Sequence, residues 1–145
     1  MSDETRVYGC VEGAWRFSDK ALYVKNKEAI DALPEEDEWP PLDRGIFAVP
    51  MPKSQAKPGF HRTQMIHFGI SFKNFNPYWA EWLEKFEMLL KQMYWYEVHL
   101  HLDMETRGEF DYLWTVDREI TGRFLLEPPL PVNEWSFTGG PRFFE

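Results

Sequence analysis

His99, His101 and Asp103 recur at every second position of the stretch Tyr94–Asp103. If that stretch is a β-strand, the three side chains share one face, with Glu97 just ahead of them. His67 falls on the polar side of a second alternating stretch and offers another imidazole. Two or three imidazoles with a carboxylate suit zinc or iron, and an open coordination position would permit hydrolysis or oxygen chemistry. The simpler account is that the polar side of a half-buried strand must carry something. A His-x-His pair without a third ligand at a characteristic spacing does not define a metal centre. The expectation is therefore no metal and no cofactor, with His99, His101, Asp103 and His67 as the alternative ligand set.

The run Pro34-Glu35-Glu36-Asp37-Glu38-Trp39-Pro40-Pro41-Leu42-Asp43 concentrates five acids around one tryptophan and stiffens them with proline. A charge run of this kind is ordinarily a solvated turn. It also has the ingredients of a recognition surface. Charge speeds the encounter with a basic partner, an exposed indole is a frequent hot spot, and prolines lower the ordering cost. Glu35, Glu36, Asp37, Glu38, Trp39 and Asp43 are the candidate partner-binding residues. Lys53, Lys57, His61 and Arg62 beside Phe60 form a small basic loop that could stack on and neutralise RNA. Against the acidic balance of the whole chain, four groups do not make a nucleic-acid binder.

Nucleophilic catalysis finds no support. None of Ser18, Ser54, Ser71 and Ser136 sits in a G-x-S-x-G elbow, and no phosphate loop or dinucleotide fingerprint occurs. Cys10 reads as a small, buried strand side chain. The chain is expected not to be an enzyme.

The elements that must position these residues follow from periodicity. Val7, Val11, Trp15 and Phe17 alternate around Gly9 and Gly13, giving a strand bent at its glycines. A short helix carries Ala29, Ile30 and Leu33 and stops at Pro34. Asn26 is one candidate cap for it; Ser18 would cap a longer version, although Tyr23 and Val24 favour a strand there. Residues 34–62 form a long Pro-rich loop region in which only Ile46–Val49 suits a short edge strand. Gln64–Phe72 alternates through Ile66, Phe68, Ile70 and Phe72. Asn76–Met93 then carries an apolar stripe of Trp79, Trp82, Leu83, Phe86, Leu89, Leu90 and Met93, with Asn76 as cap and Pro77 in the first turn. Glu81 and Lys85 form an i,i+4 pair on its polar side. Tyr94–Asp103 and Phe110–Val116 alternate on either side of a link short enough for a hairpin. The Pro/Gly/aromatic segment 122–145 is expected to fold back on the core in extended form. The fold class is α+β: a mainly antiparallel sheet packed against one long amphipathic helix, in one domain spanning residues 1–145.

Composition limits the function classes. With 16 basic and 24 acidic residues the chain carries a formal net charge of −8, and hydrophobic residues make up 43% of its 145 positions. That excludes a wholly disordered chain and argues against affinity built on phosphate contacts. No apolar run approaches a membrane span, and the opening Met1-Ser2-Asp3-Glu4 is acidic where a signal peptide would be basic. A single cysteine fits a reducing cytoplasm. No membrane and no nucleic acid are expected among the partners.

In its acidic, Trp-rich character and its lack of catalytic motifs, the chain resembles the small immunity proteins of bacterial polymorphic-toxin and contact-dependent inhibition systems. The stretches that carry the resemblance are LPEEDEWPPLDRGIF (Leu33–Phe47) and KFEMLLKQMYWYEVHLHLD (Lys85–Asp103). It is a likeness of style with no shared motif, so no residue role transfers by position. It implies a cytoplasmic, non-enzymatic binding protein whose partner is a cognate toxin domain, often a basic nuclease, held inactive by direct contact. The alternatives are a metal-dependent enzyme built on the His-x-His-x-Asp face and a structural or scaffold domain.

Overall fold

Alternation of apolar and polar residues builds the sheet. The computed structural model describes residues 3–13, 21–50, 64–117 and 130–144. Among these, six strands form one sheet: β1 (Glu4–Gly13), β2 (Phe47–Ala48), β3 (Met65–Lys73), β4 (Trp95–Met104), β5 (Gly108–Thr115) and β6 (Ser136–Gly139). Their order is β2-β3-β1-β4-β5-β6 and each neighbouring pair is antiparallel. Val7, Val11, Ile66, Phe68, Phe72, Val98, Leu100, Leu102, Tyr112 and Trp114 point to one side and are buried. A Cβ at Gly9 would lie 2.9 Å from Phe68 Cζ and closer still to the β4 backbone, so glycine is what lets β1 nestle between its neighbours. The bend expected near the glycines is a register shift against β4 at Glu12/Gly13. Trp15 and Phe17, placed on the same strand by periodicity, lie outside the described residues, as do Ser18, Lys53, Lys57, His61 and Arg62.

Helix α2 (Trp79–Leu90) covers the apolar side of the sheet with Trp79, Trp82, Leu83, Phe86, Leu89 and Leu90. Trp79 stacks on Trp82 at 5.7 Å between ring centroids, and Trp82 on Phe86 at 5.4 Å. Phe86 spans the sheet, 5.1 Å from the Phe68 ring on β3 and 5.5 Å from Trp114 on β5.

Two details of the helices correct the sequence reading. The single long helix expected over Asn76–Met93 is a 3-10 turn, Asn76–Tyr78, followed by 12 α-helical residues. Pro77 lies in that turn, Tyr78 N–H bonds Phe75 O at 2.8 Å, and no side chain caps either element, so Asn76 is not an N-cap. At the other end Trp95 Nε1–H donates to Leu90 O at 2.9 Å, and the chain leaves the helix through turn bonds from Gln92 and Met93. Helix α1 (Ala21–Asp31) takes in Tyr23 and Val24, which favoured a strand, and Asn26 lies in its interior. Tertiary bonding overrides the capping preference there. The buried Asn26 amide donates to Tyr94 O (2.9 Å) and Gln64 Oε1 (3.2 Å), and its Oδ1 accepts Tyr94 N–H (2.7 Å).

The chain beyond residue 130 returns to the sheet. Strand β6 pairs with β5, Tyr112 O–H and Trp79 Nε1–H both donate to Pro141 O, and Phe144 lies against Phe110.

Phe86→Ala removes the ring that joins helix to sheet, and the expected loss is about 3–5 kcal/mol. Denaturant unfolding measures it; a variant as stable as wild type contradicts the packing described.

Candidate functional site

Past α1 the chain turns at Leu33, whose N–H bonds Ile30 O, and Pro34 blocks any further helix. Arg44 N–H closes on Pro34 O at 3.1 Å, so residues 34–44 form a necked loop. Its interior is bonded to α2. Asp37 Oδ2 accepts Leu42 N–H (3.0 Å) and Lys85 Nζ (2.9 Å), and Asp43 Oδ1 accepts Asp37 N–H (2.6 Å). Lys85 directs its other donors at Glu38 O (3.1 Å) and Pro40 O (2.8 Å), while Trp82 Nε1–H donates to Pro41 O (2.8 Å). Helical spacing offers Lys85 to Glu81; the structure gives its ammonium to the loop. Lys85 is thus a loop anchor that the sequence reading missed. The available signal was one helix lysine against a run of acids and prolines whose carbonyls had no assigned donors.

These bonds sort the six candidate residues. Asp37 and Asp43 hold the loop together, and Glu35 lies 3.3 Å from Arg44. Glu36, Glu38 and Trp39 are left exposed. Trp39 is 50% exposed, and Phe72, Phe75 and Tyr78 meet its ring nearly perpendicularly, with centroids 5.5–5.9 Å away. Such edge contacts orient the indole while leaving surface for a partner. Burial pushes the Asp37 carboxyl up, but the Leu42 N–H and the Lys85 ammonium outweigh it and hold the group below its ordinary 3.8.

On the side of the sheet opposite α2, the register lays out two polar rows. One runs Gly69–Tyr8–His101–Asp111 and the other His67–Cys10–His99–Leu113. His101 Nδ1 is 2.7 Å from Asp111 Oδ1 and its Nε2 is 3.3 Å from Glu109 Oε1, with the Tyr8 ring 5.0 Å away. The hydrogen bond to Asp111 raises the imidazole above its usual 6.5; partial burial opposes this, and Glu109 adds to it. His99 Nε2 is 3.5 Å from Glu97, and Asp103 is 4.0 Å from Arg6. Tyr8, Cys10, His67, His99, His101 and Asp111 line an open hollow of about 410 Å³. The structure therefore places the alternative ligands His67, His99, His101 and Asp103 on one face but turns the last three to other partners. Among the described residues, no three His, Cys, Asp or Glu side chains are gathered around a common point.

No protein-family model, curated protein or solved structure matches the chain.

Two pH dependences follow. The lowered Asp37 value means that its bonds stabilise the fold above pH 3.8 and lose that effect as pH falls through the folded value. Asp37→Asn should therefore lower the melting temperature near neutrality, with the gap to wild type closing in strong acid. For His101 the sign reverses: its carboxylate contacts stabilise fully below pH 6.5, and the effect disappears as pH rises through the raised folded value. In an NMR titration its ring should show a midpoint above 6.5, falling back towards it in Asp111→Asn.

Proposed function

We propose that this chain is a non-enzymatic binding protein of the immunity kind, which neutralises a cognate toxin domain acting in the cytoplasm by direct contact through the loop of residues 34–44. The observation that carries the reading is Trp39. A half-exposed indole, braced by Phe72, Phe75 and Tyr78 and flanked by the exposed Glu36 and Glu38, is a poor ending for a surface loop with no partner.

Preorganisation supports the same reading. Lys85, Trp82 and Asp37 fix the loop before any encounter, so binding need not order it. The outward carboxylates suit a basic cleft such as a nuclease presents to phosphate. Glu36 and Glu38 act at a distance and steer association, whereas Trp39 acts on contact and governs dissociation.

Co-expression with the product of the adjacent toxin gene tests the proposal directly: this chain should restore growth and bind the toxin. Association of the pair should slow as salt rises. Trp39→Ala should weaken binding by about 2–4 kcal/mol, mainly through faster dissociation. Failure to bind or protect against any neighbouring gene product refutes the immunity reading. Protection that survives both Trp39→Ala and neutralisation of Glu35, Glu36, Asp37 and Glu38 removes the loop from the interface.

A further inference from the structure

The sheet ends differently at its two edges. On one side β2 has two residues, and the 3-10 turn Arg44–Ile46 runs directly into it. On the other side lies β6, whose residues alternate between bonding across the ladder to β5 and facing the opposite way. Gly140 N–H bonds Asp111 O at 3.0 Å, and the register sets Thr138 against Leu113 and Ser136 against Thr115, so the even-numbered residues face β5. The N–H and C=O groups of Phe137 and Gly139 therefore point away from the sheet, and among the described residues none of them has a hydrogen-bond partner. An open edge is normally blunted by a charge or a proline. Residues 135–139, Trp-Ser-Phe-Thr-Gly, contain neither.

We infer that β6 pairs antiparallel with β6 of a second copy of this chain, about a two-fold axis at Phe137, and joins two sheets into one. The strand is complementary to itself in that register. Phe137 meets its own counterpart and exchanges both backbone hydrogen bonds with it, while Gly139 bonds Trp135 of the second copy. On the polar side Ser136 falls opposite Thr138, a hydroxyl pair of the kind that stabilises neighbouring strands. On the other side Trp135 falls opposite Gly139. A Cβ at Gly139 would lie 2.8 Å from Asp111 O, so the position carries no side chain of its own and takes a large ring from across the axis. Charge agrees with this choice of partner. Two copies that each carry a net −8 meet along an uncharged strand. The exposed Glu134 precedes that strand and Arg142 follows it, so antiparallel pairing sets the acid of one copy towards the basic end of the other.

Strand β6 lies at the opposite end of the sheet from β3, whose Phe72 supports Trp39. The pairing therefore leaves the acidic loop of each copy exposed, and it holds whether or not a toxin is the partner of that loop. An edge-to-edge contact buries less surface than a packed interface, so the dimer dissociates on dilution.

Sedimentation velocity of the full chain over a dilution series is the test, and it needs no toxin. The species at the concentrated end should have twice the 17.3 kDa of one chain. Amide exchange at Phe137 and Gly139 should slow as that species forms. Ser136→Lys combined with Thr138→Lys sets like charges opposite each other on both sides of the axis and should weaken dimerisation by about tenfold or more. Ser136→Glu combined with Thr138→Lys sets opposite charges there instead and should restore it. Both side chains are exposed, so neither variant reaches the core. A chain that is monomeric throughout overturns the inference, as does a dimer that the two lysines leave at full strength. Protection of Phe137 and Gly139 that arises only when a different protein is added gives the edge to that protein and overturns it as well.

Discussion

A buried indole has to find an acceptor for its Nε1–H, and the described core holds four indoles with no exposed surface: Trp79, Trp82, Trp95 and Trp114. Their acceptors come from the irregular chain, the end of a helix and a charged side chain. Trp82 takes Pro41 O from the acidic loop, Trp79 takes Pro141 O from the returning C-terminal segment, Trp95 takes Leu90 O, and Trp114 takes a Glu87 carboxylate oxygen. Glu87 also pairs with Arg142. The four thus fill the core, while Trp82 also ties down the loop and Trp79 the C-terminal segment. Proline-rich chain suits this role because each proline keeps a carbonyl while giving up a donor that would itself need a partner.

This arrangement gives the two sides of the sheet different characters. The side under α2 is closed by stacked rings whose indole N–H groups all have acceptors, and the loop bonded to α2 inherits that rigidity. The other side carries cross-strand rows of short polar groups. There the sheet register fixes which residues meet, and the bonds are between side chains at the surface, as where His101 is held between Asp111 and Glu109. A docking surface gains from the first condition, since an ordered loop loses little entropy on binding.

How much of this was legible in the sequence depends on the range of the interaction concerned. Strands β3, β4 and β5 and the apolar stripe of α2 follow from local periodicity, because the alternation is enforced by burial of one side. Asn26 went unread as a core residue: its bonds reach Tyr94, 68 positions away, and no local rule distinguishes a helix cap from a buried bracket. The helix was read too long for a related reason. Met93 continues the stripe and is buried, but from a turn. Cys10 was read as a buried side chain, yet it lies out of phase with the buried Val7 and Val11, on the polar side of β1, and is only partly buried. The acidic loop was visible as composition, whereas its division into inward and outward acids required Lys85 to be placed.

That division changes which force matters at the loop surface. Composition alone suggests that five clustered acids should dominate recognition by charge. The structure commits Asp37 to Lys85 and pairs Glu35 with Arg44, so two of those charges already face cations of the same chain. Asp43 is turned to a backbone N–H inside the loop. The uncompensated outward charge is therefore Glu36 and Glu38, exposed to solvent and screened over a Debye length of about 8 Å at physiological salt. Charge of that kind accelerates an encounter but discriminates weakly between basic partners. Discrimination must then rest on the group between them and the helix: the braced Trp39 ring, which rewards only a partner shaped to receive it.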